Sequence, residues 1–261
     1  MKVTEYEIRT DKSGIDMRFA VVSDLHARSY KKIIDALKSI SPDAILLPGD
    51  IVEIAAEYMD KRNQNGLRFL EEAVHIAPCY YCYGNHEIYY SHAKWGRTGR
   101  PQPDLSREYM DRILACGVHV VNDSCETFKV GSDKGEISIG GLVCGWDTDP
   151  KFESKGIDLG FLKKFDETDK FKLLLCHYPH YYEEYLKDTG IDLVLSGHAH
   201  GGQWRLFGRG VYAPHQGLFP KYTSGIHDGR HIISRGASNN VKPIPRIFNA
   251  PEILDLRVIS K

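Results

Sequence analysis

The chain has 261 residues, 42% of them hydrophobic, and its 34 Lys and Arg nearly balance its 35 Asp and Glu, for a formal net charge of −1. This share of apolar residues can fill a core, which excludes an intrinsically disordered chain. The balanced charge argues against a protein whose main work is to coat DNA or RNA, because that binding depends on a large excess of Lys and Arg.

The first part of the chain alternates short apolar runs with amphipathic segments. Residues 17–23, 44–47 and 79–83 are rich in Val, Ile, Leu and Tyr and end in polar residues, which predicts buried strands. Two helices are predicted between these strands. Residues 31–40 place Ile33, Ile34, Leu37 and Ile40 on one face, and residues 66–76 place Leu67, Leu70 and Val74 on one face.

The pattern changes in the second half of the chain. Residues 97–104 combine Gly and Pro with polar residues and predict a loop. Between residues 118 and 145, short strands joined by turns predict an antiparallel stretch. Two further buried strands follow, and a final strand pair closes the chain. The predicted strands are 118–121, 126–130, 136–142, 172–176 and 192–195, and the final pair is 231–234 with 253–258.

Helices that alternate with buried strands indicate an α/β fold with parallel portions. No linker divides the chain, so a single domain is predicted over residues 1–261. No stretch approaches the roughly 18 to 20 apolar residues of a membrane-spanning helix, and charges fill the first 18 residues. The six cysteines are too scattered for a disulfide framework. A cytoplasmic protein is therefore expected, with no transmembrane segment and with peripheral membrane contact left open.

Metal-ligand residue types follow the predicted strands. In an open α/β sheet, residues just beyond the carboxyl ends of the strands converge on one site. Asp24 and His26 are two residues apart, as are His198 and His200, and in an extended segment such a pair points the same way and grips a common target. The complete set of candidate ligands is Asp24, His26, Asp50, Asn85, His177, His198 and His200.

Seven candidate ligands are too many for one four-coordinate zinc ion. They suit two divalent ions that share a bridging carboxylate and keep positions open for water and substrate. Nitrogen and oxygen donors without a thiolate fit Mn²⁺, Fe²⁺ or Zn²⁺ and do not choose among them. The sequence therefore predicts a dinuclear metal site at the carboxyl ends of the strands.

These candidates belong to five short motifs that lie between residues 24 and 200. Each motif alone is a weak signal, because a Gly-Asp pair after an apolar run is usually a turn. Their joint occurrence by chance is improbable. The motifs are Asp24-Leu25-His26, Gly49-Asp50, Gly84-Asn85-His86-Glu87, His177 and Gly197-His198-Ala199-His200.

In order and spacing, the motifs resemble the five signature blocks of the calcineurin-like metallophosphoesterases. The resemblance implies a four-layer α/β/β/α sandwich with a dinuclear centre at one sheet edge. It also implies that His86 is a non-ligand histidine beside the substrate phosphate. The metal assignments that it implies are Asp24, His26 and His200 for one ion, Asn85, His177 and His198 for the second, and Asp50 as the bridge.

The carboxyl-terminal part of the chain looks like a bacterial branch of this family. That branch includes pyrophosphatases that act on UDP-2,3-diacylglucosamine and phosphodiesterase-like proteins, which implies a small phosphorylated or lipid-linked substrate. The segment 218–222 either lines an apolar groove for an acyl chain or packs in a loop. The matching segments are Gly201-Gly202-Gln203, Tyr212-Ala213-Pro214, Gly217-Leu218-Phe219-Pro220-Lys221-Tyr222, Ser234-Arg235-Gly236 and the stretch from Arg246 to Pro251-Glu252-Ile253.

The predicted function is a metal-dependent phosphohydrolase that cleaves a phosphodiester, a pyrophosphate or a phosphomonoester. Two divalent ions, two carboxylates and a bridging hydroxide leave a net charge of about +1 to attract phosphate, and the hydroxide attacks phosphorus. Asp50 holds both metals, and His86 either donates a proton to the leaving oxygen or stabilises its developing charge. Arg28, Arg235 and Arg246 are candidate substrate contacts, because guanidinium pairs with phosphate. Since imidazole must be deprotonated to bind metal, activity should fall below about pH 6.

Two other functions remain as alternatives. A nuclease of the same superfamily is disfavoured by the net charge of −1 and by the absence of a dense basic stripe, so nucleic acid is not the expected partner. A non-catalytic protein-binding scaffold on the same fold should have lost ligands or the non-ligand histidine, and here the whole set is present. Replacing His86 separates catalysis from scaffolding.

Overall fold

The computed structural model of the chain describes residues 1–52, 61–87, 105–131, 134–143, 157–239 and 245–261. The predicted loop at 97–104 lies outside these residues. The α-helices are α1 (Lys31–Ile40), α2 (Lys61–Ala73), α3 (Leu105–Ala115) and α4 (Leu159–Asp166). The strands are β1 (Lys2–Thr10), β2 (Asp16–Val21), β3 (Ala44–Pro48), β4 (Cys79–Cys82), β5 (His119–Val120), β6 (Ser124–Lys129), β7 (Glu136–Leu142), β8 (Phe171–Cys176), β9 (Leu193–Ser196), β10 (Arg205–Leu206), β11 (Arg209–Gly210), β12 (Tyr212–Ala213), β13 (Gly217–Leu218), β14 (Gly225–His227), β15 (His231–Ile233) and β16 (Glu252–Ser260).

Two six-stranded mixed sheets form the centre of the molecule. The first has the order β1-β16-β2-β3-β4-β5, in which β2 to β5 run parallel and β16 is antiparallel to β2. The second has the order β14-β15-β9-β8-β7-β6, in which β15, β9, β8 and β7 run parallel and the two edge strands are antiparallel. The predicted α/β fold with mixed sheets is confirmed.

Alternating side chains of the strands build the layers. In β2, Phe19 faces the apolar core between the two sheets, whereas Ala20 faces the core under the helices. Helices α1, α2 and α3 cover the outer face of the first sheet, and α4 with the π-helical turn Tyr182–Leu186 covers the outer face of the second. The order of layers is therefore α/β/β/α.

The predicted helices agree with the structure to different degrees. Helix α1 has the predicted bounds and buries the four predicted aliphatic side chains. It ends at Ser41, which adopts a left-handed conformation with φ of 51° and donates its N–H to the carbonyl of Leu37. Helix α2 begins at Lys61, five residues before the prediction, because its first turn has no apolar stripe to mark it.

Two predictions about strands are wrong. The predicted final pair does not exist, because β15 pairs with β9 in the second sheet and β16 lies between β1 and β2 in the first. The 118–145 stretch is only partly antiparallel: β6 and β7 are antiparallel, but β5 runs parallel to β4. An apolar run shows that a segment is buried and says nothing about its partner strand. In the described part of the chain, no helix is long and apolar enough to cross a membrane.

Candidate metal centre

The candidate ligands lie where strands of both sheets end. Asp24, Asp50 and Asn85 follow β2, β3 and β4 within three residues, and His177 and His198 follow β8 and β9 within two. Because these strands run parallel within each sheet, their carboxyl ends share an edge. The two sheets are packed face to face, so the two edges together form one site.

Asp24, His26 and His200 form the first set of ligands, which we call the Asp24 group. Oδ1 of Asp24 lies 3.4 Å from Nε2 of His200 and 4.0 Å from Nε2 of His26. The two imidazole Nε2 atoms are 3.2 Å apart. These atoms lie close enough to reach a single ion.

Asp50, His177 and His198 form the second set of ligands, which we call the His177 group. Oδ2 of Asp50 lies 3.1 Å from Nε2 of His177, and all three side chains are buried. Asn85 joins this group, because its Oδ1 lies 3.0 Å from Nδ1 of His198. Donor atoms of Asp50, His177 and His198 all lie within 4.8 Å of one another, and Asn85 lies beside His198.

Asp50 connects the two groups. Besides its contact with His177, its Oδ2 lies 3.8 Å from Nε2 of His26 and 3.9 Å from Nε2 of His86. The structure therefore brings all seven predicted ligands together, with one carboxylate between the two sets.

The predicted local geometry of the paired ligands is wrong. Asp24, His26, His198 and His200 have φ values of 54°, 49°, 65° and 46°, so none of them lies in an extended segment. His198 and His200 belong to different groups, whereas Asp24 and His26 share one. Residues in the left-handed conformation turn the backbone sharply at the strand ends. The side chains therefore do not follow the two-residue alternation of an extended strand.

Glycines allow the loops to approach one another. A Cβ atom at Gly84 would overlap Oδ1 of Asp50, and a Cβ atom at Gly197 would overlap Oγ of Ser23 and Oδ2 of Asp24. In the folded site, the same carboxylate of Asp24 accepts hydrogen bonds from the Ser23 hydroxyl and from the backbone N–H of His198. The glycines of the motifs are thus required by close packing around the two carboxylates.

Glu87 fixes the loop that carries Asp50. Its buried carboxylate accepts hydrogen bonds from five donors around the β3 and β4 ends and from no metal-ligand side chain among the described residues. The donors are the backbone N–H groups of Asp50, Ile51, Val52 and Gly84 and the hydroxyl of Tyr81. Because an unpaired buried N–H is costly, these bonds hold Asp50 in one position.

The tautomer of His177 leaves a lone pair in the site. Its Nδ1 donates a hydrogen bond to the carbonyl of Pro48 at 2.7 Å, so the neutral ring has an unprotonated Nε2 that faces the carboxylate of Asp50. Within the described residues, Nε2 of His177 and Nε2 of His198 have no hydrogen-bond partner. Two acceptors that face each other need either a proton or a cation between them, so the residues fit a metal ion.

The pKa values of the buried groups follow from this arrangement. Burial opposes a charge on His177, but the adjacent carboxylate of Asp50 outweighs it and raises the pKa of the ring to about 9. Burial also acts against the charge of Asp50, yet the imidazoles of His177 and His86 hold its pKa well below the usual range. Burial lowers the pKa of His26 and of His198, which keeps these rings neutral. His26, His198 and Asp50 are therefore in the forms that bind metal, whereas His177 must first give up a proton.

His86 lies on the open side of the centre. Its side chain is 17% exposed, compared with 1% for His26, and its ring packs edge-on against His26 with centroids 4.5 Å apart. The backbone N–H of His86 donates to Oδ1 of Asp50. Arg28 is half-buried and follows His26 on the same loop. Both residues thus lie on the loops that form the site.

Arg246 and Arg235 occupy different positions. Nη2 of Arg246 lies 3.0 Å from Nδ1 of His200, directly behind a ligand of the Asp24 group. Arg235 forms an ion pair with the buried carboxylate of Glu252, which neutralises its charge. Arg246 therefore reaches the centre, whereas Arg235 is part of the packing beside it.

Several supporting residues are not evident from the sequence. Ser238 donates its hydroxyl hydrogen to the carbonyl of Asp24, and the side-chain amide of Asn249 donates to the carbonyls of His200 and Gln203. Asn249 is 49 residues away from His200 along the chain, and the resemblance of the stretch that contains it assigns no role to this side chain. Only the three-dimensional structure connects these side chains with the ligands.

A family comparison agrees with the fold and with this site. The family model for calcineurin-like phosphoesterases matches residues 17–202, which include all seven candidate ligands and His86. The chain belongs to the calcineurin-like phosphoesterase family. Members of this family use divalent metals, and the protein is a metal-dependent hydrolase that acts on phosphate esters.

Related proteins are similar along most of the chain. The uncharacterized metallophosphoesterase YkuE of Bacillus subtilis is 27% identical, and the match covers 97% of this chain and 84% of the relative. An uncharacterized metallophosphoesterase of Helicobacter pylori strain J99 is 25% identical over all of this chain, which spans 64% of that relative. Among solved structures, the sulfate thiohydrolase SoxB of Thermus thermophilus superposes with a TM-score of 0.50 at 12% sequence identity. The match covers 84% of this chain and 51% of the SoxB chain, and it shows a shared fold alone.

Proposed function

We propose that this protein hydrolyses a phosphodiester, a pyrophosphate or a phosphomonoester at a centre of two divalent ions. In the proposal, the Asp24 group holds one ion, the His177 group with Asn85 holds the other, and Asp50 bridges them. The observation that carries it is the position of Oδ2 of Asp50, 3.1 Å from His177 and 3.8 Å from His26. When bound, two such ions acidify a shared water for attack on phosphorus and neutralise the phosphate.

The residues of the site supply a positive but buried setting. Asp24 and Asp50 are the two carboxylates of the proposed ligand set, and the imidazoles and Asn85 are neutral donors. Two divalent ions would therefore keep an excess of positive charge, which favours a phosphate anion over a neutral ester. The buried walls strengthen this attraction, because little water screens it.

His86 is the proposed proton donor to the leaving oxygen. Its ring is more exposed than those of the four histidine ligands, and its backbone N–H donates to Asp50, which fixes the backbone of His86 beside the centre. General-acid assistance of this kind contributes roughly 10²- to 10⁴-fold to turnover. Arg28 and Arg246 are the proposed contacts to substrate oxygens. Arg235 supports the site indirectly through Glu252.

The finer points of the proposal concern substrate, metals and compartment. The tail motifs favour a small or lipid-linked substrate like that of UDP-2,3-diacylglucosamine pyrophosphatases, and the donor set favours Mn²⁺, Fe²⁺ or Zn²⁺. One catalytic domain over residues 1–261 is supported by a ligand set drawn from both sheets. Free thiols at the five cysteines of the described chain support a cytoplasmic location.

The direct test is to purify the protein, quantify its bound metals and assay bis-p-nitrophenyl phosphate and p-nitrophenyl phosphate with added Mn²⁺. We expect close to two ions per chain and faster hydrolysis of the diester. Faster hydrolysis of the monoester would assign a phosphatase instead. A fully metallated protein that hydrolyses neither ester would contradict the proposal.

A matched pair of variants separates chemistry from metal binding. His86→Asn should lower turnover by roughly 10²-fold or more while the metal content stays the same, because the ring is a proton donor in the proposal. His119→Asn is the control, since His119 is exposed and paired with Glu126 on the surface. A His86→Asn enzyme with wild-type turnover would remove His86 from the mechanism.

A further inference from the structure

An unusual set of large apolar side chains is exposed beyond the metal centre. Phe207 is fully exposed, and Phe248, Leu218 and Phe219 are 83%, 71% and 67% exposed. Scattered single apolar residues on a surface need no explanation, but a cluster of this size marks a contact surface. We call Trp204, Leu206, Phe207, Leu218, Phe219 and Phe248 the aromatic rim.

Backbone contacts bring together the chain segments that carry the aromatic rim. Trp204 bridges to Ile247, and Phe207 and Phe248 line the same shallow cavity of about 310 Å³. The N–H of Phe219 donates to the carbonyl of Val211, whose own N–H donates to the carbonyl of Trp204. The rim is therefore continuous across three chain segments.

The three phenylalanines lie at turns that hold them outward. Phe207, Phe219 and Phe248 have φ values of 49°, 51° and 52°. This left-handed region is unfavourable for a bulky residue, and Gly or Asn is the usual choice there. Three strained turns, each with an exposed phenyl ring, are difficult to explain by the stability of the free protein alone.

The charge of this region points to an anionic partner. Arg205 and Arg209 flank Phe207 in the β10–β11 hairpin, Lys221 lies two residues beyond Phe219, and the sequence from residue 204 to residue 221 contains no acidic residue. Arg209 is exposed in the β10–β11 hairpin next to Phe207. Glu183, which reaches this region from the π-helical turn, is ion-paired with Lys187 and Lys221. An apolar surface with a basic border is complementary to anionic headgroups above acyl chains.

The rim lies directly beside the metal centre. Trp204 follows the 3₁₀ turn His200–Gly202, and its N–H donates to the carbonyl of Gly202. On the other segment, Phe248 follows Arg246, whose guanidinium contacts His200. A partner that binds the aromatic rim is therefore placed next to the proposed reaction site.

We propose that the aromatic rim docks the protein on the surface of an anionic lipid bilayer, with the phenylalanines in the boundary between headgroups and acyl chains. The centre then meets phosphate esters at the level of the headgroups. The docking stands by itself, whereas the choice of a membrane lipid as substrate rests on the proposed function. Tyr222, by contrast, is buried and packs inside the protein, so the rim includes only part of the segment 218–222.

The test is flotation of the full chain with vesicles of phosphatidylcholine and phosphatidylglycerol in equal amounts, and with vesicles of phosphatidylcholine alone. We expect binding to the mixed vesicles that weakens with salt, and weaker binding to the neutral ones. Phe207→Ser with Phe248→Ser should reduce binding by about tenfold or more, because each ring leaves the interface. Leu159→Ser is the control, since Leu159 is 60% exposed on α4, away from the rim.

Further readouts keep the outcomes distinct. The double variant should hydrolyse bis-p-nitrophenyl phosphate at the wild-type rate, which shows that it is folded, and Phe219→Ser serves as a second variant. Equal vesicle binding by the wild type and both rim variants would overturn the docking. Two other results would also overturn the docking: binding of the rim to duplex DNA but not to vesicles, or a dimer of the wild type that dissociates in the rim variants. Vesicle binding without turnover of any ester would leave the docking standing and contradict the proposed function.

Discussion

The two ligand groups of the metal centre are supported by opposite chemistry. Behind His177 lies the carbonyl of Pro48, which accepts the Nδ1 proton and leaves Nε2 with a lone pair for a metal. Behind His200 lies Arg246, whose guanidinium only donates, so Nδ1 of His200 accepts, the neutral ring carries its proton on Nε2, and the ring must give up that proton before Nε2 can bind an ion. Groups behind a ligand set its tautomer and basicity, and thus its hold on the metal. The His177 group should therefore bind its ion more tightly than the Asp24 group.

Replacing the shared carboxylate should have the largest effect, because it acts on both groups. Asp50→Asn keeps the size of the side chain and removes the charge between the two sets. We expect turnover of the diester to fall on the order of 10³-fold, since the shared geometry of both ions is lost. Metal analysis should show the loss of at least one ion per chain. Two retained ions with nearly full activity would contradict a bridging role.

Weakening the hydrogen bonds that hold the Asp50 loop should give the next largest effect, and it sharpens the comparison of the two ligand groups. Glu87→Gln places an amide among four backbone N–H donors, so the loop that carries Asp50 loses part of its anchorage. We expect a loss of about 10- to 100-fold in metal affinity, mainly at the His177 group. Metal titrations followed by calorimetry would measure it. Tyr81→Phe removes one of five hydrogen bonds and should have a much smaller effect; an equal effect would contradict this role of Glu87.

The pH dependence of metal binding tests the His177 group by a different route. The pKa of His177 is raised to about 9 without metal, so the ring is protonated below that pH and an ion must displace the proton. The affinity of this group should therefore fall about tenfold for each pH unit below 9, as long as one proton is released. Titrations in buffers of different ionisation enthalpy count that proton. An affinity that is constant from pH 7 to pH 9 would contradict the assignment.

The smallest effect is expected behind the Asp24 group. Arg246→Gln removes the cation that faces Nδ1 of His200, and the amide oxygen of the substituted side chain can accept a hydrogen bond from a protonated Nδ1. The affinity of the Asp24 group for its ion should therefore rise by about threefold to tenfold. Competition with a chelator would measure the change. Arg257→Gln is the control, because Arg257 is an exposed ion-pair partner on β16. Weaker metal binding in the Arg246 variant would reverse the proposed difference between the groups.

The candidate ligands can be chosen from the sequence because each of them stands where a buried strand ends, and the structure brings their side chains together. That they bind metal stays a prediction. The apolar runs before Asp24, Asp50 and His177 mark the strands, and the joint occurrence of the five motifs after such runs carries the prediction, since each motif alone is a weak signal. The first strand was not predicted, since Lys2–Thr10 carries charges at its exposed positions and buries only part of one face. Its register with β16 comes from pairing at the opposite end of the chain.

The parts of the site that could not be predicted depend on distant contacts. Asp24, which adopts a left-handed conformation, packs against Gly236 and Gly197, two glycines from distant parts of the chain that the spacing of its own motif does not reveal. The hydrogen bonds of Ser238 and Asn249 connect segments far apart in the chain. The exposed phenylalanines of the aromatic rim also look like ordinary core residues in the sequence, because hydrophobicity alone does not show whether a ring is buried or exposed.

The most direct test of the central claim is an anomalous-difference map from crystals of the protein grown with Mn²⁺. The account predicts two peaks, one among Asp24, His26 and His200 and one among Asn85, His177 and His198, both within ligand distance of Asp50. A single peak, or peaks that do not share Asp50, would contradict it.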